Sequence, residues 1–216
     1  MTIGIIQASS QAEKNQLLFD TVKKYAANDE IINFGCKANE PEQFSYVEIS
    51  VLAGLLLASE AVDFIVTGCS SGQGMMLACN SFPGVLCGYA PSPMDAYLYV
   101  QINNGNAVSL PLGEDYTWAG SENFENTIAK LFSEPFGQGY PKDEAARKIR
   151  DTRMLKEIRS RSQRTATDLL DSLDKTFVEH LMSKQDVVQY ILHHGKSSIV
   201  QWMWKNAGQT NAKTFF

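Results

Sequence analysis

Residues 64–113 carry a single charged side chain, Asp95. A stretch that long with so little charge must lie in the interior of a fold or between subunits. It opens as Phe64-Ile65-Val66-Thr67-Gly68-Cys69 and turns through Ser70-Ser71-Gly72-Gln73-Gly74. It continues as Met75-Met76-Leu77-Ala78-Cys79. The β-branched start, the small-residue turn and the apolar continuation read as a buried parallel strand, a tight loop and a helix. Gly72 and Gly74 have no Cβ, so backbone N–H groups there can approach a ligand closely. The helix that follows turns its N-terminus to the same place and favours negative charge. A thiol at Cys69, hydroxyls at Ser70 and Ser71 and a set of N–H donors thus gather at the carboxyl end of one strand. That is where open α/β sheets bind ligands.

The rest of the chain is organised around this unit. Apolar, β-branched runs predict strands over 3–8, 30–34, 62–67, 85–89 and 107–111. Helical spacing predicts helices after Ser9-Ser10 and over 42–59, 74–80, 94–102 and 122–132. Ser9 and Ser10 are residues that cap a helix. Strand and helix alternate with connections too long for hairpins. The expected fold is α/β, a doubly wound five-stranded parallel sheet in a Rossmann-like three-layer sandwich. Residues 133–141, with Pro135, Gly137, Gly139 and Pro141, read as a linker. The expected division is an α/β core over 1–140 and a helical C-terminal extension over 141–216. Within the extension, helices are expected over 142–170 and near 177–182, 187–192 and 199–204. Trp202, Trp204, Phe215 and Phe216 are expected to pack against the core or a partner chain.

The 44% hydrophobic content of this 216-residue chain supports a real core. A net charge of −5 argues against nucleic acid as a partner. The start, Met-Thr-Ile-Gly-Ile-Ile-Gln, lacks a basic leader and reads as a strand. Apolar runs are broken by Gly, Ser and Asn, so no membrane segment is expected. Cys36, Cys69, Cys79 and Cys87 form no CxxC pair, which fits reduced thiols and a cytoplasmic setting. His193-His194 has no Cys or carboxylate at ligand spacing and reads as a surface pair. No metal or cofactor is called for. Residues 142–164 hold nine Lys/Arg against four acids, a local excess of +5. A neutral cavity and a basic helix suggest that one holds reacting carbons and the other an anionic group.

Over residues 3–150 the chain resembles type B ribose-5-phosphate isomerases and the related galactose-6-phosphate isomerase subunits. Cys69-Ser-Ser-Gly-Gln-Gly-Met75 is similar to that family's Cys-Gly-Thr-Gly-x-Gly-Met loop. Asn80 with Pro83-Gly84 matches its Asn-x-x-Pro-Gly, and Asn33-Phe34-Gly35 is similar to its Asp-Phe-Gly. Tyr46-Val47-Glu48 stands where it has Tyr-Pro-Asp. Asn103-Asn104-Gly105-Asn106 resembles its His-Asn-x-x-Asn stretch without the histidine. Four departures stand beside these matches. Asp-His after the first strand is replaced by Ala8-Ser9, and the ring-opening histidine by Ile102. The arginine of Leu-Gly-x-Arg is replaced by Asp115 in Leu112-Gly113-Glu114-Asp115. Gly-Gly-Arg-His becomes Gln138-Gly139-Tyr140-Pro141. The segment after about position 150 exceeds the usual family length.

The resemblance implies an aldose–ketose isomerase acting on a sugar phosphate through an enediolate. Such a reaction needs a base, donors for the developing oxyanion and exclusion of water. Cys69 is the implied base, since thiols at helix N-termini ionise more readily. Ser71 is the implied proton carrier, the N–H groups of Ser71 to Gly74 are implied to face the oxyanion, and Ser70, Gly72, Gly74 and Asn80 are implied substrate contacts. Tyr46 either lines the pocket or is an ordinary core aromatic. Asn103 either binds a sugar hydroxyl or caps a helix beside Gly105. Ser9 reads more readily as a helix cap than as a ligand group. Lys142, Arg147 and Arg150 either hold the phosphate or form a solvated helix face. With Ile102 in place of the histidine, a short or linear sugar phosphate, such as a four-carbon one, is expected. The family plan implies a homodimer with the extension packed across the partner. Two other functions compete: a sugar-phosphate-binding protein without turnover, and a flavodoxin-like nucleotide binder. The absence of a glycine fingerprint after the first strand opposes the latter.

Overall fold

The computed structural model describes residues 1–115 and 118–211. Five strands form one all-parallel sheet: β1 (Thr2–Ile5), β2 (Glu30–Asn33), β3 (Phe64–Cys69), β4 (Cys87–Tyr89) and β5 (Ala107–Pro111). Their order is β2-β1-β3-β5-β4. The chain steps from β1 out to β2 and then returns across β1 to β3. The loops after β1 and β3 therefore leave toward opposite faces of the sheet and open a crevice between them, the usual ligand position in such folds. Cys69 is the last residue of β3 and pairs with Pro111 of β5. The α/β reading of the sequence holds. Strand ends shift by a few residues; the 3–8 run is strand only to Ile5, though the Ile6 and Ala8 N–H groups still bond to Val66 O and Gly68 O.

Alternation along the strands sends side chains to two cores. Phe64, Val66, Val108 and Leu110 meet α1 (Asn15–Tyr25), α4 (Pro93–Leu98) and α5 (Gly120–Leu131) on one face. Ile65, Cys69 and Ala107 meet α2 (Tyr46–Ala58) and α3 (Gln73–Ser81) on the other. Helix α2 is buried without interruption from Ile49 to Leu56. A helix that is apolar all round needs cover on both sides. The second cover comes from the C-terminal segment: after α6 (Ala145–Ser162), which packs on residues 99–103 instead, α7 (Ala166–Asp171), α8 (Lys175–Met182), α9 (Gln185–His194) and α10 (Ser198–Asn211) supply it. Leu170, Leu181, Met182, Val187, Val188, Ile191 and Met203 are at most 1% exposed in the same core as Leu52 and Leu56. Each such side chain is worth roughly 1.5–3 kcal/mol in burial. The three-layer sandwich thus gains a further helical layer over α2.

Several local expectations need correction. The helix over 42–59 begins only at Tyr46, because Ser45 and Glu48 form a capping box. The helix over 142–170 breaks at 163–165, where Thr165 caps α7 through the Asp168 N–H. The segment after α4 widens into a π-turn over Tyr99–Asn103, and its left-handed cap is Asn104, not Asn103. Trp202 is buried and bonds to Asp171, whereas Trp204 is 62% exposed. Phe215 and Phe216 lie outside the described residues. Among those residues no helix is long and apolar enough to cross a membrane, and no cluster of His, Cys, Asp and Glu could hold a metal.

Candidate active site

The centre of the site is the turn from β3 into α3. Gly72 is its pivot, with φ at +74° as the residue before α3. A Cβ there would stand 2.8 Å from Leu110 C, Pro111 N and Tyr89 Cε2, so both conformation and space require glycine. Ser109 Oγ donates to Gly72 O at 2.6 Å, tying the turn to β5. The N–H groups of Leu112 and Gly113 bond to the Cys69 and Ser70 carbonyls at 3.0 Å. The Cys69, Ser70 and Gly72 carbonyls are thus tied to β5 and the chain after it, while the first N–H groups of α3, as at any helix start, have no intrahelical partner. Cys69 is 8% exposed at the floor of this turn. Among the described residues Ser71 Oγ has no hydrogen-bond partner.

Tyr46 resolves the alternative left open by the sequence. It is 44% exposed as the first residue of α2, and its ring lies 3.4 Å from the position a Cβ would take on Gly74. It therefore flanks the loop rather than filling the core. Ser9 caps nothing. The residue before the first turn is Ala8, which makes no side-chain cap. Instead Ser9 Oγ accepts from the Phe44 N–H at 2.8 Å and Ser9 N–H bonds to Phe44 O. The same hydroxyl touches the Cys36 thiol, which burial pushes up in pKa. Ser9 joins the wall between β1 and α2.

Asn80 also does other work. Its Nδ2 donates to Met76 O at 2.9 Å and to Cys87 O at 2.8 Å, and its Oδ1 accepts from the Cys87 N–H. It staples the end of α3 to β4. The basic helix departs furthest from expectation. Arg147 pairs with Glu144 and Asp151, and Arg150 pairs with Asp151 at 3.0 Å. Lys156 Nζ donates to Asn104 O at 2.6 Å, and Arg159 donates to Val85 O at 2.5 Å. Cations suit such carbonyl-rich turns, so this face docks α6 as much as it meets solvent. Lys142 is exposed, and Asn103 lies at the end of the π-turn, where Thr152 of α6 donates to Ile102 O. Within one chain these residues are not brought to the Cys69 loop. His193 and His194 are exposed, as expected of a surface pair.

The structure adds residues that pattern reading passed over. Gln11 Nε2 donates to Ser70 Oγ at 2.9 Å. Lys14 pairs with Glu114 at 2.6 Å and lies 4.6 Å from the Trp118 ring centroid. That bond holds the Glu114 carboxyl below its usual range. Beneath them Gln7, fully buried, donates to Cys36 O and accepts from Asn15, which exchanges bonds with Asn33. A lone glutamine after the apolar run Ile3-Gly4-Ile5-Ile6 was the available signal, since a buried amide needs partners.

A sequence model of ribose/galactose isomerases matches residues 3–152. The chain belongs to the ribose/galactose isomerase family. A crystal structure of a 4-deoxy-L-threo-5-hexosulose-uronate ketol-isomerase complexed with a tartrate is similar at 36% identity and a TM-score of 0.89. The match covers 97% of this chain and 100% of that one. A ribose-5-phosphate isomerase structure from Vibrio parahaemolyticus is similar at 31% identity and a TM-score of 0.87, covering 97% and 99%. A type B ribose 5-phosphate isomerase from Trypanosoma cruzi shares the fold at 21% identity and a TM-score of 0.61, covering 74% of this chain and 99% of its own. No curated protein matches the chain. A family member of this kind is a sugar isomerase, and the first two matches extend over the C-terminal helices as well.

Proposed function

We propose that this isomerase interconverts the aldose and ketose forms of an acyclic, acidic sugar derivative, with Cys69 as the base. The observation that supports the reading is the Cys69 turn, a cysteine at the end of β3 that leads through the positive-φ Gly72 into the first turn of α3. The thiolate takes the proton from C2 of the aldose. N–H groups over 71–74 hold the oxyanion of the resulting enediolate. The proton returns to C1, and Ser71 passes the O2 proton to O1. The step is an internal shift with no net redox change, so no cofactor is consumed.

The substrate class follows from what the site has lost. Ile102 stands in place of a ring-opening histidine, Ala8-Ser9 in place of Asp-His, and Asp115 in place of a phosphate-binding arginine. The compound named for the similar ketol-isomerase has no hydroxyl at C4, a ketone at C5 and a carboxylate at C6. It has no hydroxyl with which to close a furanose or pyranose onto C1, and it carries no phosphate. A hexosulose uronate of that kind therefore suits this site better than the sugar phosphate expected from the family. Gln11 bonds to Ser70, Lys14 pairs with Glu114 next to the Gly113 whose N–H bonds to Ser70 O, and the Glu114 side chain is largely exposed. A substrate carboxylate can take its place.

Incubation with 4-deoxy-L-threo-5-hexosulose uronate and, separately, ribose 5-phosphate tests this by NMR. Turnover of the uronate at least tenfold faster is expected. Cys69→Ala is expected to lower kcat about 10³-fold while leaving the fold intact. Faster turnover of ribose 5-phosphate would reverse the substrate assignment. Binding with no solvent deuterium entering either compound would favour the non-catalytic reading.

We also propose a homodimer. Met154, Leu155 and Ile158 are exposed on one side of α6. A cavity of about 370 Å³ opens beside the site between α2, α3 and α7, lined by Tyr46, Val47, Leu77, Phe82, Leu169 and Leu173. Mutual burial of these surfaces would bring Asn103, Lys142 and Arg147 toward the partner's pocket. A monomer by light scattering at micromolar concentration would remove the proposal.

A further inference from the structure

The wall of the site that carries Tyr46 is held by the C-terminal segment through one histidine. His180, on α8, places Nδ1 2.5 Å from Glu48 Oε1 and Nε2 3.6 Å from Glu42 Oε2. Its ring stacks on Phe44, with centroids 4.8 Å apart at 15°. Glu48 uses its other oxygen for the helix cap: Oε2 accepts from the Ser45 N–H at 2.7 Å. Both carboxylate oxygens are thus engaged, one by α8 and one by the start of α2. Tyr46 follows Ser45 directly, and Phe44 before it carries the two bonds to Ser9. One turn further on, Lys184 is 4% exposed and pairs with Glu40 at 2.9 Å and Asp186 at 3.0 Å, anchoring the start of the same loop. A carboxylate acceptor requires His180 Nδ1 to be the donor, which fixes the ring's hydrogen placement.

We propose that His180 is a positioning residue for the candidate active site. It locks Glu48, Glu48 locks the first turn of α2, and that turn sets Tyr46 against the Cys69 loop. The C-terminal helices thereby act on substrate binding from outside the pocket. Without the Nδ1 donor, Glu48 loses the bond that fixes its rotamer, and its cap on the Ser45 N–H weakens. The first turn of α2 then frays and Tyr46 leaves Gly74. Because Tyr46 flanks the substrate and Cys69 performs the proton transfer, the loss falls on KM rather than kcat.

The inference rests on the proposed isomerase activity, and its test separates the two. His180→Leu removes the donor, while His180→Asn keeps an N–H at the Nδ1 position. With 4-deoxy-L-threo-5-hexosulose uronate, His180→Leu is expected to raise KM about 5- to 10-fold with kcat changed less than about 2-fold. His180→Asn is expected to stay within about 2-fold of the parent in both. In parallel, mass spectrometry reads the iodoacetamide labelling rate of Cys69, which needs no turnover. It is expected to rise about 5-fold in His180→Leu and not in His180→Asn. If the parent turns over no sugar, the activity reading fails and Cys69 labelling alone decides the positioning role. Unchanged KM with unchanged labelling in His180→Leu would overturn the proposal. So would equal losses in the Leu and Asn variants, which would mean that ring packing on Phe44 is all that His180 provides.

Discussion

The two walls of the candidate site are held by different physics. The wall that carries Cys69 is made of backbone. Its hydrogen bonds run to β5, its pivot is a glycine whose Cβ would strike Leu110 and Pro111, and its residues sit next to one another in sequence. The wall that carries Tyr46 is made of side chains. Glu48, Glu40 and Phe44 are held by His180 and Lys184 from a segment more than a hundred residues away. The first wall is as rigid as the sheet itself. The second depends on charged and polar groups whose net contribution is small once desolvation is subtracted. With the proton transfer proposed for Cys69, a rigid loop facing an adjustable wall would suit an enzyme whose chemistry is shared across a family while its substrates differ.

Substitution at the pivot tests the first half of the comparison and carries the largest expected effect. Gly72→Val forces a β-branched residue to positive φ and into the β5 backbone, costing about 3 kcal/mol or more. Thermal denaturation should show a large fall in Tm with activity lost; a Tm within a few degrees of the parent would mean that the turn is not rigid.

Acid tests the second wall. Burial alone would raise the Glu48 carboxyl, but the Ser45 N–H and His180 outweigh it and hold the group below its usual range. A carboxylate whose folded value lies below its unfolded one stabilises fully above the ordinary range, near 4.3 for glutamate. That contribution is lost as pH falls through the folded value. Protection of the amides of 44–48 against hydrogen exchange, with the intrinsic rate at each pH divided out, should therefore fall below about pH 4, before protection in β3 does. Simultaneous loss in both regions would erase the distinction between the walls.

The smallest effect is expected at Thr67. Its Oγ1 is buried beneath the Cys69 wall and has no hydrogen-bond partner among the described residues. Thr67→Val removes an unsatisfied hydroxyl at nearly constant volume and should stabilise by about 0.5–1 kcal/mol. Denaturant titration would show this as a raised midpoint. Destabilisation would mean that the hydroxyl has a partner in solution and that the sheet wall contains a polar element after all.

Much of the site could be read before the fold was seen, and the part that could not has a common cause. The Cys69 turn is local: strand, glycine pivot and helix start occupy consecutive positions, so residue type and spacing announce them. The capping box at Ser45 and Glu48 was equally local, and its S-x-x-E pattern was there to be used against a start at residue 42. Asn80 and the basic face of α6 were legible as residues but not as roles. An amide or a cation near a pocket and one bridging carbonyls look alike in sequence. Gln11 with Ser70, Lys14 with Glu114 and His180 with Glu48 gave no local signal at all.

The sequence alone determined the parallel α/β sheet, the uncharged centre and the strand–glycine turn–helix unit that carries Cys69. Each follows from hydrophobic period, charge depletion or glycine at adjacent positions. Only the tertiary structure decided which cations serve a carbonyl rather than a ligand and which helix covers the outer face of α2. It also decided that a histidine 132 residues from Glu48 would hold the wall beside Tyr46. Periodicity encodes which face of an element is buried, but the partner of a polar atom is fixed only once the packing of whole elements brings distant segments within 3 Å of one another.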